Sequence, residues 1–69
     1  MTREELRNGA VVCHVKHNRN YRIVSCNMRY KDSVNGWTDA VTYTPLYDND
    51  YEMFTRELQS FLDEFELKK

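Results

Sequence analysis

Residues 10–31 read AVVCHVKHNRNYRIVSCNMRYK, a stretch that predicts a β-hairpin. Apolar and polar side chains roughly alternate over residues 10–17, and this period of two is typical of a strand. The Asn-Arg-Asn cluster at residues 18–20 favours a turn, because asparagine tolerates positive φ. A second strand follows over residues 21–31. Its apolar positions change parity partway along, which indicates a bulge or bend near Val24, as in small barrels.

Downstream of this hairpin the sequence predicts two further strands and a helix. Residues 37–46 form the third strand after the turn-forming pair Asn35-Gly36, and residues 52–56 form a short fourth strand. The spacing i, i+3, i+4, i+7 of one apolar helical face is present at Leu58, Phe61, Leu62 and Phe65. We therefore expect a helix over residues 57–66 that packs on an antiparallel sheet.

The N-terminal residues 1–8 predict a short helical turn. Thr2 and Glu5 have the spacing of a capping box, and Gly9 can adopt the left-handed conformation that ends such a turn. With residues 10–56 as the sheet and residues 57–66 as the helix, residues 1–69 predict one α+β domain.

The composition predicts a thin core. The chain has 12 Leu, Ile and Val residues and 9 aromatic residues, so rings must supply much of the buried area. A single core of this size rarely supplies more than ~3–5 kcal/mol of stability, and we therefore expect a homo-oligomer.

Charge is distributed unevenly along the chain. The formal net charge is −1 and the pI is about 6.1, which argues against a general nucleic-acid or membrane-surface binder. Residues 1–31 nevertheless carry a net +5, whereas residues 32–69 carry a net −6. Oppositely charged elements packed side by side would explain this division, and so would a basic patch for phosphate or acidic ligands.

Neither a long apolar run nor an export leader is present, so we expect a cytoplasmic protein that does not enter a membrane. Free thiols are expected at Cys13 and Cys26, since secreted domains of this size usually carry more cysteines. These cysteines, with His14 and His17, supply four soft ligands, but alternation along a strand points neighbouring side chains apart. We therefore expect no metal and no cofactor. No nucleophile has a recognisable acid/base partner, which predicts a protein that is not an enzyme.

Basic and aromatic side chains gather in the first hairpin. Four basic side chains lie close together on the predicted strands and turn: His14, Lys16, Arg19 and Arg22. Tyr21 and Trp37 offer stacking surfaces. Cations combined with rings suit phosphates combined with bases. The same rings could instead form the core of a domain with so few aliphatic residues.

The order of short motifs over residues 9–65 resembles a bacterial and phage family called domain of unknown function 1653. The motifs are Gly9-x-x-x-x-His14-x-Lys16, Tyr21-x-Ile23-Val24, Val41-x-Tyr43-x-x-Leu46-Tyr47, Phe54-x-Arg56 and Phe61. The resemblance implies a small SH3-like bent sheet closed by a C-terminal helix. It also implies a shared pocket around His14, Lys16, Tyr43 and Arg56, without supplying a function.

Two functions remain open at this point. The first is a non-enzymatic module that binds a nucleotide, a short single strand or another phosphate-bearing ligand through His14, Lys16, Arg19, Tyr21, Trp37, Tyr43 and Arg56. The alternative is a self-associating module that regulates or inhibits a host protein through the acidic helix or a sheet edge. The small, compact chain has the style of a phage accessory protein in either case.

Overall fold

Five antiparallel strands and one helix make up the computed structural model, which describes residues 1–34, 36–46 and 52–68. The strands and the helix are β1 (Val11–His14), β2 (Arg19–Asp32), β3 (Gly36–Pro45), β4 (Phe54–Glu57), α1 (Leu58–Glu64) and β5 (Phe65–Leu67). A 3₁₀ helix, Arg3–Glu5, precedes them. The predicted α+β class, with an antiparallel sheet and a C-terminal helix, is confirmed.

The sheet has the strand order β4-β3-β2-β1-β5. β4 and β5 occupy its two edges, and no ladder joins them among the described residues, so this sheet is open rather than closed. Asn35, predicted to form a turn, and the motif residue Tyr47 lie outside the described residues.

The long strand β2 is irregular where the sequence predicts a bend. Its register against β3 shifts between Ile23 and Ser25 and again between Ser25 and Met28. The expected bulge near Val24 is confirmed, because the first of these shifts spans that position. Because of these register shifts, the positions whose side chains face the helix change parity along β2.

The first hairpin turns earlier than its sequence predicts. β1 ends at His14 rather than at residue 17, and the amide of His17 donates to the carbonyl of His14 at 3.2 Å. Asn18 has a φ of 52°, so it supplies the left-handed residue of the turn. Arg19 and Asn20, expected in the turn, already belong to β2.

The helix is shorter than the predicted range 57–66. The Glu57 side chain accepts hydrogen bonds from the amides of Gln59 and Ser60, which starts the helix at Leu58. After Glu64 the chain becomes extended, because residues 65–67 pair with β1 as strand β5. This long-range ladder replaces the final helical turn.

The core contains four aliphatic side chains and three rings, as the composition indicates: Leu6, Val12, Ile23, Val41, Tyr43, Phe61 and Phe65. Leu58 and Leu62 only border it. The capping box at the N-terminus is confirmed, since the Thr2 amide donates to Glu5 Oε1 at 2.8 Å. The Thr2 hydroxyl also donates to Glu5 Oε1, at 3.3 Å.

Candidate functional site

A pocket of about 190 Å³ opens on the helix-bearing face of the sheet. Seven side chains from all five strands and the first turn line it: His14, His17, Tyr21, Tyr43, Phe54, Arg56 and Phe65. Strand pairing brings them together, because His14 lies opposite Phe65 and Tyr43 lies opposite Phe54. We call this cavity the Arg56 pocket.

Arg56 carries the permanent positive charge of this pocket. Its Nε donates to the hydroxyl of Tyr43 and its Nη1 to the hydroxyl of Ser60, each at 3.3 Å. The guanidinium carbon lies 5.5 Å from the ring centroid of Phe65. Both hydroxyls are neutral, and Arg56 forms no ion pair with a described carboxylate. The half-buried charge is thus oriented but not neutralised, a condition suited to an anionic ligand.

His14 is buried, with 5% of its surface exposed. Its Nε2 lies 3.3 Å from Glu64 Oε1, and its ring stacks on His17 with centroids 4.8 Å apart. Within the described part of the chain, Nδ1 of His14 has no hydrogen-bond partner. Because Glu64 fixes the ring through Nε2, Nδ1 is the ring atom left for a ligand in the pocket.

Three rings form the apolar wall of the Arg56 pocket. Tyr21 meets Tyr43 edge to face at 5.2 Å, and Phe54 lies 5.7 Å from Tyr43 and 6.4 Å from Tyr21. Tyr43 is also part of the buried core. Tyr43 therefore belongs both to the hydrophobic core and to the candidate site.

Four of the seven predicted ligand-binding residues, His14, Tyr21, Tyr43 and Arg56, meet in this pocket. Arg19 lies directly opposite His14 in the β1–β2 register, so both side chains leave the sheet on the same face. Together with Asn18, Asn20 and Leu46 it lines a neighbouring cavity of about 460 Å³.

The two other predicted residues lie elsewhere. Lys16 is exposed on the turn after β1 and does not line the Arg56 pocket. Trp37 pairs with Lys31 near the far end of the β2–β3 ladder. It is six residues from Tyr43 along β3, a separation of about 20 Å in an extended strand.

His17, Phe54 and Phe65 line the pocket without having been predicted there. The spacing of His14 and His17 was visible in the sequence, but a strand running through residue 17 would place them on opposite faces. The early turn places the two imidazoles on one another instead. Phe54 was visible only as a motif residue, and Phe65 only as the last position of a helical face.

Metal-ligating side chains do not converge in the part of the chain that the structure describes, where no three His, Cys, Asp or Glu residues form a group. Cys13 and Cys26 are both half-buried and form no disulfide. None of the described helices is long and apolar enough to cross a membrane.

Comparison with protein-family models, with curated proteins and with solved structures finds no match to this chain. The resemblance to domain of unknown function 1653 therefore stays a prediction.

Proposed function

We propose that this protein is a small non-enzymatic module that binds a phosphate-bearing ligand in the Arg56 pocket. The observation that carries the proposal is the guanidinium of Arg56, which is held by the hydroxyls of Tyr43 and Ser60. A guanidinium held by neutral groups keeps its full charge for a phosphate and can bind it through two parallel hydrogen bonds. His14 lines the same pocket, and its Nδ1 would supply a further polar contact.

The volume of the pocket limits what part of the ligand it holds. Drug-sized ligands occupy pockets of roughly 300–1,000 Å³, so about 190 Å³ suits a phosphate group rather than a whole nucleotide. The remainder of a nucleotide would extend over Tyr21 toward the neighbouring cavity of about 460 Å³. There Asn18 and Asn20 offer amides for base edges.

We also propose that this open sheet has the strong bend of an SH3-like fold. Two features support it: the bulged strand β2, and the position of α1 directly before β5, which pairs with β1.

Isothermal titration calorimetry tests the proposal with inorganic phosphate and with mono-, di- and cyclic nucleotides. We expect at least one nucleotide to bind with a Kd below 1 mM (about −4 kcal/mol). Arg56→Gln should weaken binding roughly 10- to 100-fold, the loss expected of a charged hydrogen bond. Arg22→Gln is the matched control, because Arg22 is exposed on β2 and does not line the pocket.

Two results would overturn the phosphate proposal. One is the absence of any binding below 1 mM, and the other is an unchanged Kd for Arg56→Gln with a native circular dichroism spectrum. Equal losses for Arg56→Gln and Arg22→Gln would also count against it, because they would reflect net charge rather than a site.

Self-association is a second candidate, favoured by the edge strand β4, which pairs with β3 alone among the described residues. Met53, which precedes β4, and Phe54, its first residue, are 63% and 38% exposed. An unpaired edge with exposed apolar side chains is a surface on which a second copy can add a strand. Light scattering over a concentration series should show a dimer that Met53→Lys dissociates. A monomer at every concentration would exclude this candidate.

A further inference from the structure

Trp37 is the most exposed of the described Phe, Tyr and Trp residues, with 64% of its surface exposed. Two cations lie against it: the guanidinium carbon of Arg29 at 6.0 Å and Nζ of Lys31 at 5.9 Å from the ring centroid. Lys31 pairs directly with Trp37 across the β2–β3 ladder, so both leave the same face of the sheet. An exposed indole between two cations is a platform on which another flat ring can stack.

A groove begins beside Arg29 and runs toward the N-terminus. It consists of two adjoining cavities of about 190 and 400 Å³, which share Arg3, Cys26 and Asn27 as lining residues. Arg29 lines the smaller cavity and Arg7 the larger. We call this surface the basic track: Arg7, Arg3, Arg29 and Lys31, ending on Trp37.

The charge of the basic track is largely uncompensated. None of its four cations forms an ion pair with a carboxylate among residues 1–34, 36–46 and 52–68. Nη1 of Arg7 donates to the carbonyls of Glu4 and Leu6, at 2.8 and 2.7 Å, which orients the guanidinium without neutralising it. Asp39, opposite Arg29, is the carboxylate that lines the groove. The four cations still leave a local positive potential on a protein whose net charge is −1.

Amide side chains add polar contacts along the floor of the groove. Asn8 Oδ1 accepts from the amide of Cys26 at 3.0 Å, so its NH₂ group remains a donor. Asn27 is exposed where the two cavities meet. Amides beside cations suit a ligand that presents base edges as well as phosphates.

We propose that the basic track binds single-stranded nucleic acid, with one base stacked on Trp37 and the phosphates of neighbouring nucleotides on Arg29, Arg3 and Arg7. Stacking on an exposed indole requires an unpaired base, which selects single strands over duplexes. The amides in a recessed groove favour nucleic acid over an anionic membrane, which would meet the cations on a flat surface. The proposal does not rest on the Arg56 pocket, since Trp37 lies about 20 Å from Tyr43 along β3.

Fluorescence titration provides the primary test, because Trp37 is the single tryptophan of the chain. An oligothymidylate of about 12 nucleotides, within the range that small single-strand modules cover, should quench Trp37 to saturation. The logarithm of the association constant should fall with the logarithm of salt concentration with a slope of roughly −2 to −3, as expected for three or four phosphate contacts.

Single substitutions test whether the basic track is the surface that binds the oligonucleotide. Arg3→Gln and Arg29→Gln should each weaken binding and make the slope shallower by about 0.7. Trp37→Ala should weaken binding roughly 5- to 100-fold, which is the contribution of one stacked base. Because this variant has no tryptophan, its binding is measured by the fluorescence anisotropy of a labelled oligonucleotide. Arg56→Gln and Arg22→Gln are the matched controls and should bind the oligonucleotide as the wild type does.

Three outcomes would overturn this proposal: no saturable quenching, quenching by anionic vesicles but not by oligothymidylate, or a loss caused by Arg56→Gln alone. If the basic track does not bind the oligonucleotide, nucleotide binding in the Arg56 pocket is unaffected. Loss of nucleotide binding in Arg56→Gln, conversely, leaves oligonucleotide binding unchanged. The two proposals can therefore fail separately.

Discussion

The rings of Phe61 and Phe65 stack in parallel, with centroids 4.1 Å apart and planes inclined by 7°. Phe61 belongs to α1 and Phe65 is the first residue of β5, so this stack joins the helix to the edge strand that follows it. The guanidinium of Arg56 lies over the same Phe65 ring. The core and the Arg56 pocket therefore share one aromatic pair, and damage to the pair should affect both.

Phe61→Ala should lower the free energy of unfolding by about 3–5 kcal/mol, because it removes a fully buried ring and leaves a cavity. Leu62→Ala is the matched comparison and should cost less, since Leu62 is only partly buried at the border of the core. Urea denaturation followed by circular dichroism measures both. An equal loss for the two variants would contradict the placement of Phe61 at the centre of the core.

The helix and β5 illustrate what local sequence can and cannot predict. The spacing of Leu58, Phe61, Leu62 and Phe65 predicts the helix and the burial of both phenylalanines. It cannot predict that the helix ends at Glu64, because the cause is the pairing of residues 65–67 with a strand about 50 residues earlier. The bulge near Val24, by contrast, can be predicted from local sequence, because the apolar residues change parity there.

In the candidate site, too, some features can be predicted from local sequence and others cannot. His14 and Tyr21 lie on one predicted hairpin, and their proximity follows from strand pairing alone. Arg56 enters the prediction through the family resemblance, because no local pattern relates it to the hairpin. The separation of Trp37 from Tyr43, about 20 Å, follows from the predicted third strand alone. The sequence cannot predict that Lys31 lies opposite Trp37, because this depends on the register of β2 against β3, which the bulges shift.

Asn18→Ala should destabilise the protein by about 1 kcal/mol, whereas Asn18→Gly should stay within about 0.5 kcal/mol of the wild type. The reason is the φ of 52° at Asn18, which glycine adopts freely and alanine does not. Thermal unfolding of the three proteins side by side measures the difference. Equal stability of the alanine and glycine variants would show that this turn has another conformation in solution.

Glu57→Ala should cost about 0.5–2 kcal/mol, because the side chain caps the amides of Gln59 and Ser60 at 2.8 and 3.1 Å. Glu57→Gln keeps an acceptor oxygen and should cost less, which separates the hydrogen bond from the charge. Glu66→Ala is the control, since Glu66 is exposed on β5. An equal loss of stability in Glu66→Ala would show that the effect comes from the change in net charge rather than from the lost helix cap.

Tyr43→Phe should lower the free energy of unfolding by about 0.5–1.5 kcal/mol, because it removes the hydroxyl that accepts from Arg56 Nε and keeps the buried ring. In an Arg56→Gln background the same substitution should cost less, since its hydrogen-bond partner is already gone.

Urea denaturation of the four proteins in this double-mutant cycle measures the coupling between Tyr43 and Arg56. Ser60→Ala, compared in the same two backgrounds, reports on the second hydroxyl that holds the guanidinium. Additivity within about 0.3–0.5 kcal/mol would mean that the two side chains do not interact in solution. The guanidinium would then not be held in place for a phosphate, and the Arg56 pocket would lose the feature that distinguishes it from an ordinary surface arginine.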